Sequence, residues 1–262
     1  MTESRTIQQL TSYKVLLIGD SCIDQYMIGT IDRLSPEAPV PVIKNVETTT
    51  VLGMASNVNA NLKNLNIDTY FIHNSEEIIK TRYIDKKSGQ QLLRVDSEPT
   101  IAPWSGELSD QDFDAIVISD YDKGFLTYDL IQQLIRSTDK PIFIDTKKTN
   151  LRKFSGDHVY VKINESEYKN SISVPTNLIV TLGERGAMHK KSFLTSTYST
   201  NSVEVTDVCG AGDTFLAALC AQYLSTKDIE QAIIFANIAA GITVQHRGNY
   251  APSYDEIRIA GY

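Results

Sequence analysis

Short runs of consecutive apolar residues recur along the chain, and each has the length of a buried strand. They occupy residues 14–19, 115–119, 141–145, 159–163 and 178–182. Between the runs, apolar side chains recur at helical spacing, as in Val58, Leu62 and Leu65 and again in Leu130, Leu134 and Ile135. Continuous apolar strands that alternate with helices indicate a parallel sheet covered on both faces. The pattern therefore predicts an α/β fold whose site residues lie at the strand ends.

Two stretches, approximately residues 24–52 and 78–96, lack the helical period. The first contains S-P-E-A-P-V-P-V at residues 35–42, where three prolines oppose a helix and favour extended chain. The second contains two β-prone pieces joined by Lys-Lys-Ser-Gly, which is typical of a hairpin. Both stretches predict a small β-layer beside the main sheet. Without an internal repeat or a long linker, we expect one domain over residues 1–262.

The last third of the chain has a mainly helical pattern. Residues 210–214, G-A-G-D-T, precede apolar positions at 215, 216, 219 and 223 that form one helix face. Asp228 is placed to cap a second helix, whose small residues near Ala240 permit close approach of another element or of a flat ligand.

Composition narrows the class of protein. The 262 residues are 42% hydrophobic and 22% charged, with a net charge of −7 and no run of like charges. This is ordinary globular usage, and the absence of a basic patch argues against a nucleic-acid partner. The longest nearly apolar run, residues 232–244, is too short to span a bilayer, and residues 1–10 lack the apolar stretch of a signal peptide. With three cysteines and no C-x-x-C pair, we expect a cytoplasmic protein without a membrane partner.

The strongest local motif is D-V-C-G-A-G-D-T at residues 207–214. Two glycines before a helix leave backbone N–H groups free, and the helix dipole favours an anion beside them. An aspartate there, Asp213, has a reason to face a phosphate if it takes a proton from a nucleophilic hydroxyl. The local pattern supports equally well the alternative that Asp213 only caps the helix.

Two further motifs each allow a structural and a functional interpretation. Asn164 and Glu167, three residues apart after a strand, suit either a hydrated cation with its phosphates or a capping box, and in isolation the capping box is favoured. Thr181, Gly183 and Gly186 belong to a glycine-rich turn that could contact a nucleotide, although the motif alone favours a plain turn.

Other candidates lie near the first strand and in the β-prone stretches. Asn57, which follows Gly53 by four residues, could present its amide to sugar hydroxyls, and Asp24 lies just after the first strand. A sugar phosphate would need cations, for which the candidates are Arg82, Arg94 and Lys123. Taken singly, each of these three cations is better explained as a solvated surface group.

In order along the chain, these motifs resemble the ribokinase-like, phosphofructokinase-B type family of sugar kinases. The resemblance covers nearly the whole chain, from G-D at 19–20 through K-T-R at 80–82 and D-T-K at 145–147 to F-A-N-I-A-A-G at 235–241. The G-A-G-D segment is shared across the superfamily. The S-P-E-A-P-V-P-V segment and D-Y-D-K-G at 120–124 are more particular to the heptose 7-phosphate kinase branch.

The resemblance implies a three-layer α/β/α core with a mostly parallel sheet and a small β lid that often pairs across a homodimer. It implies an ATP-dependent kinase that uses Mg²⁺ and acts on a sugar phosphate, with Asp213 as base and Gly210, Ala211 and Gly212 as anion hole. It places Asn164 and Glu167 at water-mediated Mg²⁺. The implied nucleotide residues are Thr181, Gly183, Gly186 and Asn237. The implied sugar residues are Asp24, Gly53 and Asn57, with Arg82, Arg94 and Lys123 near the sugar end.

The chain also departs from the family pattern. Met54 replaces the second glycine of the usual Gly-Gly pair, and Cys209 stands where Thr or Ser is usual. The G-x-D loop and its helix are missing after residues 70–73, and a second helix is missing between Glu167 and Asn177. We therefore keep two alternatives: a kinase for another sugar such as fructose or ribose, and an inactive binding module. A dinucleotide-dependent oxidoreductase would fit the α/β pattern but lacks the glycine fingerprint.

Overall fold

The computed structural model of the protein describes residues 13–106 and 112–262, and its largest element is an eight-stranded sheet. Its strands are β1 (Lys14–Gly19), β4 (Asp68–His73), β7 (Ala115–Asp120), β8 (Ile142–Thr146), β9 (Val159–Asn164), β10 (Asn177–Thr181), β11 (Ala187–Lys191) and β12 (Leu194–Tyr198). The spatial order is β12-β11-β10-β9-β8-β7-β1-β4. All neighbouring strands from β10 to β4 in this order pair in parallel. Strand β11 pairs antiparallel with both of its neighbours, β10 and β12.

The core explains why the strand sequences are mainly apolar. In β1, Val15 and Leu17 belong to one buried cluster, and Leu16 and Ile18 belong to another on the opposite face. All four side chains are fully buried. Each of the five strands predicted from apolar runs is present, with ends that differ by no more than one residue.

Helices cover both faces of this sheet. They are α1 (Ala55–Asn64), α2 (Tyr128–Arg136), α3 (Glu165–Asn170), α4 (Ala211–Thr226), α5 (Ile229–Thr243) and α6 (Tyr254–Ile259). Buried residues of α1, α4 and α5 pack in one cluster, and those of α2 pack in the other. The predicted three-layer α/β/α core is confirmed. Asp228 caps α5 through hydrogen bonds from the backbone N–H groups of Glu230 and Gln231, as expected.

The second sheet has four strands and lies over the carboxyl end of β1. It contains β2 (Ser21–Leu34), β3 (Pro41–Met54), β5 (Ile78–Asp85) and β6 (Gln91–Ser97), in the order β3-β2-β5-β6. We call it the lid sheet. It confirms the β-layer predicted for residues 24–52 and 78–96. Strands β2 and β3 form a hairpin within this sheet. Because β1 leads into β2 and β3 leads into α1, both ends of the hairpin are anchored in the core.

The connections that the sequence marked as short are short in the structure. Four described residues separate the end of β4 at His73 from the start of β5 at Ile78. The six-residue α3 is the one helix between β9 and β10, all of whose connecting residues are described.

Some expectations fall outside these observations. The polar segment at residues 1–10 lies outside the described residues, and the single domain over residues 1–262 stays a prediction. Within the described ranges, none of the helices combines the length and apolar character that crossing a membrane requires.

Candidate active site

Polar side chains collect where the parallel strands end, beside the start of α4. A cavity of about 580 Å³ opens there. Its walls include Tyr121, Asp145, Lys162, Gly212 and Asp213. Since the carboxyl ends of parallel strands meet at one edge of a sheet, residues far apart in sequence converge here.

Asp213 lies in the first turn of α4 and is 5% exposed. Its Oδ2 accepts a hydrogen bond of 2.9 Å from Nδ2 of Asn57, and its Oδ1 accepts one of 2.7 Å from the hydroxyl of Tyr121. Burial raises the pKa of Asp213 to about 6, although the hydrogen bonds from Asn57 and Tyr121 oppose that rise. A carboxylate with a pKa just below neutrality can both take up and release a proton.

The backbone before Asp213 leaves room for an anion. Gly210 is the N-cap of α4 with φ 75°, and a Cβ there would come within 2.7 Å of Nδ2 of Asn57. No side chain of the described residues caps α4, so its first N–H groups lack the partner that a capping residue supplies. The side chain of Asp213 bonds Asn57 and Tyr121 instead, and the capping interpretation of this residue is therefore wrong.

A buried ion pair connects the sheet to this loop. Nζ of Lys162, on β9, lies 2.7 Å from Oδ2 of Asp145, on β8, and donates a hydrogen bond of 3.2 Å to the carbonyl oxygen of Gly212. Oδ1 of Asp145 is buried without a partner among the described residues. Sequence reasoning gave no role to Lys162, although a lysine inside the apolar strand V-Y-V-K-I-N was a signal, because lysine is rarely buried unless it is paired.

Asn164 and Glu167 form a capping box at the start of α3. Oδ1 of Asn164 accepts a hydrogen bond of 2.9 Å from the backbone N–H of Glu167, and Oε2 of Glu167 accepts one of 2.8 Å from that of Asn164. The other carboxylate oxygen of Glu167 pairs with Lys147. The capping box that the sequence allowed for this motif is therefore present. Asn164 also lines the cavity.

The four nucleotide candidates line a second cavity, of about 230 Å³. They are Thr181, Gly183, Gly186 and Asn237. Phe215 and Ala240 add apolar surface, and Thr181 and Gly183 line both cavities. An apolar slot that joins a polar cavity suits a flat ring attached to a charged chain.

The sugar candidates lie where the lid sheet meets the core. Asp24 is 5% exposed and accepts a hydrogen bond of 2.5 Å from Nη1 of Arg82. A Cβ on Gly53 would lie 2.2 Å from Oδ2 of Asp24, so only glycine fits opposite this carboxylate. Asn57, in the first turn of α1, donates its amide to Asp213.

Each of the three predicted cations has a carboxylate partner. Arg82 pairs with Asp24 at 2.5 Å, Arg94 with Asp96 at 2.9 Å and Lys123 with Glu98 at 2.6 Å. Lys80 was missed. It pairs with no carboxylate among the described residues, and its Nζ lies 5.8 Å from the centre of the Tyr121 ring. The K-T-R spacing was a signal, because alternate strand residues share a face and Lys80 and Arg82 are two apart.

Comparison with known proteins agrees with this geometry. A family model described as pfkB family carbohydrate kinase matches residues 42–256. The chain belongs to this family. It is 31% identical to the bifunctional protein HldE of Nitratiruptor sp., over 93% of this chain, and 30% identical to that of Helicobacter pylori J99, over 94%. The chain spans 64% of the length of the first relative and 66% of the second.

Solved structures of ribokinases show the same fold. Arabidopsis thaliana ribokinase, complexed with ribose and ATP, has a TM-score of 0.74 at 17% identity and covers 96% of this chain and 99% of its own. Thermotoga maritima ribokinase has a TM-score of 0.72 at 16% identity, covering 95% and 99%. The predicted ribokinase-like fold and the resemblance to the sugar kinases are confirmed, and the chain belongs to the carbohydrate kinases, which are phosphotransferases with an alcohol group as acceptor.

Proposed function

We propose that the chain transfers the γ-phosphoryl group of ATP to the anomeric hydroxyl of D-glycero-D-manno-heptose 7-phosphate. One observation carries the proposal: Asp213 is buried beside the uncapped start of α4, with its carboxylate held by Asn57 and Tyr121. The heptose substrate is supported by the D-Y-D-K-G segment, which supplies Tyr121, and by the HldE relatives.

In this mechanism the chain positions the reactants and accepts one proton. Asp213 takes the proton of the attacking hydroxyl, a contribution of ~10²–10⁴-fold for a typical general base. Gly210, Ala211 and Gly212 present backbone N–H groups to the phosphoryl group as its charge shifts toward the leaving oxygen. Lys162 fixes this loop through the carbonyl of Gly212 and adds positive charge behind it.

ATP and Mg²⁺ fit the two cavities. We assign the adenine ring to the cavity of Thr181, Gly183, Gly186 and Asn237, and the phosphates to the cavity of Asp213. Oδ1 of Asp145, which has no partner among the residues that the structure describes, suits a hydrated cation. Asn164 and Glu167 would hold further water of that cation while keeping their capping bonds. Bound Mg²⁺ supplies charge that stabilises the phosphates.

The phosphate of the substrate needs cations away from α4, because the start of α4 serves the transferred group. The face of the lid sheet that carries Asp24 also carries Lys80, Arg82 and Arg94, since these residues are in register across β2, β5 and β6. Lys123 lies at the end of β7 beside it. We assign the substrate phosphate to this group, with Lys80 as the member that no carboxylate of the described residues neutralises.

The opposite face of the lid sheet carries exposed apolar side chains. Leu52 is 61% exposed, Leu93 55% and Val95 47%, and the strand register places all of them on one face. We propose that this face pairs with a second copy of the chain. The family resemblance implies such a pairing through the lid, and the exposed apolar side chains would be buried by it. Sedimentation velocity should then show a dimer that the change Leu93→Glu converts to monomer. A wild-type monomer at micromolar concentration would contradict the pairing. A cytoplasmic location stays a prediction.

A substrate panel tests the function. The purified chain is given ATP and Mg²⁺ with heptose 7-phosphate, fructose 6-phosphate, fructose or ribose, and ADP release and ³¹P NMR of the products are measured. We expect a new anomeric phosphate on the heptose and loss of activity with a chelator. Faster turnover of fructose or ribose would favour the other-sugar alternative, and no turnover of any sugar would favour the binding module.

A further inference from the structure

Tyr121 lies directly after β7, and the mechanism proposed above gives its side chain no role. Its hydroxyl donates to Oδ1 of Asp213 at 2.7 Å, while Asn57 donates to Oδ2 at 2.9 Å. Both oxygens of the carboxylate therefore have a donor on one side, which fixes the plane of the group. A carboxylate oxygen keeps a second lone pair, so each can still accept from a substrate hydroxyl.

Tyr121 is itself held by a buried carboxylate that takes no part in the proposed reaction. The backbone N–H of Tyr121 donates to Oδ2 of Asp20 at 2.7 Å, and Asp20 is fully buried at the end of β1. The next turn residue, Asp122, has φ 56° and donates its N–H to Oδ1 of Asp120. Lys148 closes the turn by pairing with Asp120 and Asp122. These contacts fix the backbone of Tyr121 at the carboxyl end of β7.

Two lysines confine the ring. Nζ of Lys80, on the lid sheet, lies 5.8 Å from the ring centre, and Nζ of Lys147, after β8, lies 5.3 Å from it. Both distances are within cation–π range. Tyr121 therefore contacts the lid sheet, the core and Asp213 at once.

We propose that Tyr121 is a positioning residue for Asp213. It holds the carboxylate of Asp213 in the charged form and in one orientation, and it thereby sets the pH at which the kinase begins to work. The proposal rests on the proposed function of Asp213 as base. A phenol hydroxyl donates to the charged carboxylate, so its removal disfavours the charged form. Burial and the neighbouring Asp213 keep the pKa of Tyr121 well above its ordinary value, so the phenol stays protonated and is not the base itself.

Other charged or titratable groups also act on Asp213, and the test must separate them from the phenol. They are Asp145, Lys147, Lys162, Cys22 and Cys209. A change confined to the phenol oxygen leaves all of them in place. Tyr121→Phe is that change. Tyr160→Phe is the matched control, because Tyr160 is also largely buried and its hydroxyl donates to Tyr223, at 2.9 Å, instead of to Asp213.

The primary readout needs no catalysis. The titration of Asp213 is followed by ¹³C NMR of the aspartate carboxyl groups, and its signal is assigned by its loss in Asp213→Asn. We expect Tyr121→Phe to move the midpoint upward by about one pH unit, because a hydrogen bond to a charged group is worth that much. Tyr160→Phe should leave it in place. If Tyr121→Phe is poorly folded, 3,5-difluorotyrosine at position 121, a stronger donor, should move the midpoint downward.

Turnover gives the second readout. The acid limb of the kcat profile should move with the NMR midpoint, so Tyr121→Phe should lose more activity at low pH than at high pH. An unchanged midpoint, or an equal loss of kcat at every pH, overturns the proposal. A shifted midpoint in a chain that phosphorylates no sugar would refute the proposed function and leave the contact between Tyr121 and Asp213 supported.

Discussion

At the scale of single residues, the site depends on carboxylates and lysines that the fold removes from water. Asp213 has 5% of its surface exposed, Lys162 has 3% and Asp20 has none. Buried charges are retained only where they are paired or hydrogen-bonded. Each of these groups has such a partner, so their burial tunes their chemistry without leaving an isolated charge.

The pKa of Asp213 predicts the pH dependence of the kinase. Burial raises this pKa from its ordinary 3.8 to about 6. The proposed mechanism requires the deprotonated form of Asp213, so kcat should rise with pH to half its maximum near pH 6 and then reach a plateau. Measurement of kcat from pH 5 to 8.5 at saturating substrates checks this, and an acid limb near pH 4 would contradict the assignment. The raised pKa also means that Asp213 stabilises the fold most below pH 3.8, and that this contribution is lost as pH rises through about 6.

Lys80 gives a second prediction at this scale. Lys80→Ala should raise KM for the sugar phosphate about tenfold, because a charge-assisted hydrogen bond is worth roughly that factor, and should leave KM for ATP unchanged. Lys86→Ala, which alters an exposed pair with Glu47 on the same sheet, is the control and should change neither constant. Equal increases in both KM values for Lys80→Ala would show general damage to the cleft and contradict a role in substrate binding.

At the scale of elements, the junction between β3 and α1 carries local strain. Met54 has φ 56° and ψ −132°, a region that glycine adopts easily and other residues rarely. Its side chain is 4% exposed and packs in the core, which holds the backbone there. The family's usual Gly-Gly pair thus becomes Gly53 followed by a residue locked by packing.

Because of this strain, we expect the usual order of stability of alanine and glycine variants to be reversed at position 54. Both Met54→Ala and Met54→Gly lose the buried side chain, but only glycine relieves the backbone. We expect the glycine variant to have the higher free energy of unfolding, by about 1 kcal/mol, whereas alanine normally exceeds glycine. Urea denaturation of both variants checks this. A more stable alanine variant would show that the backbone at position 54 is unstrained.

Sequence reasoning predicted elements better than contacts. The five strands follow from their mainly apolar runs, because a strand buried on both faces has few polar positions. The roles of Tyr121, Lys80 and Lys162 did not follow, because each depends on a partner far away in sequence: Asp213 is 92 residues from Tyr121 and Gly212 is 50 from Lys162. The choice between a cap and a base at Asp213 likewise needed the position of Asn57.

At the scale of the whole molecule, the proposed reaction lies in the space between two sheets. The main sheet supplies Asp145 and Lys162 and positions α4, while the lid sheet supplies Asp24, Lys80 and Arg82. The chain carries a net charge of −7, so the cations that would hold two anionic substrates are concentrated locally in an acidic protein.

The most direct test of the account is phosphoryl transfer from ATP to heptose 7-phosphate by wild type and by Asp213→Asn, measured as ³¹P NMR product per enzyme at pH 8. Asparagine keeps the size of the side chain and can still pair with Tyr121, but it cannot accept a proton as a base. Asp228→Asn, which retains a capping side chain on α5, is the control. The account predicts that Asp213→Asn loses at least about two orders of magnitude in kcat with unchanged thermal unfolding. Turnover of Asp213→Asn near the wild-type rate would contradict it.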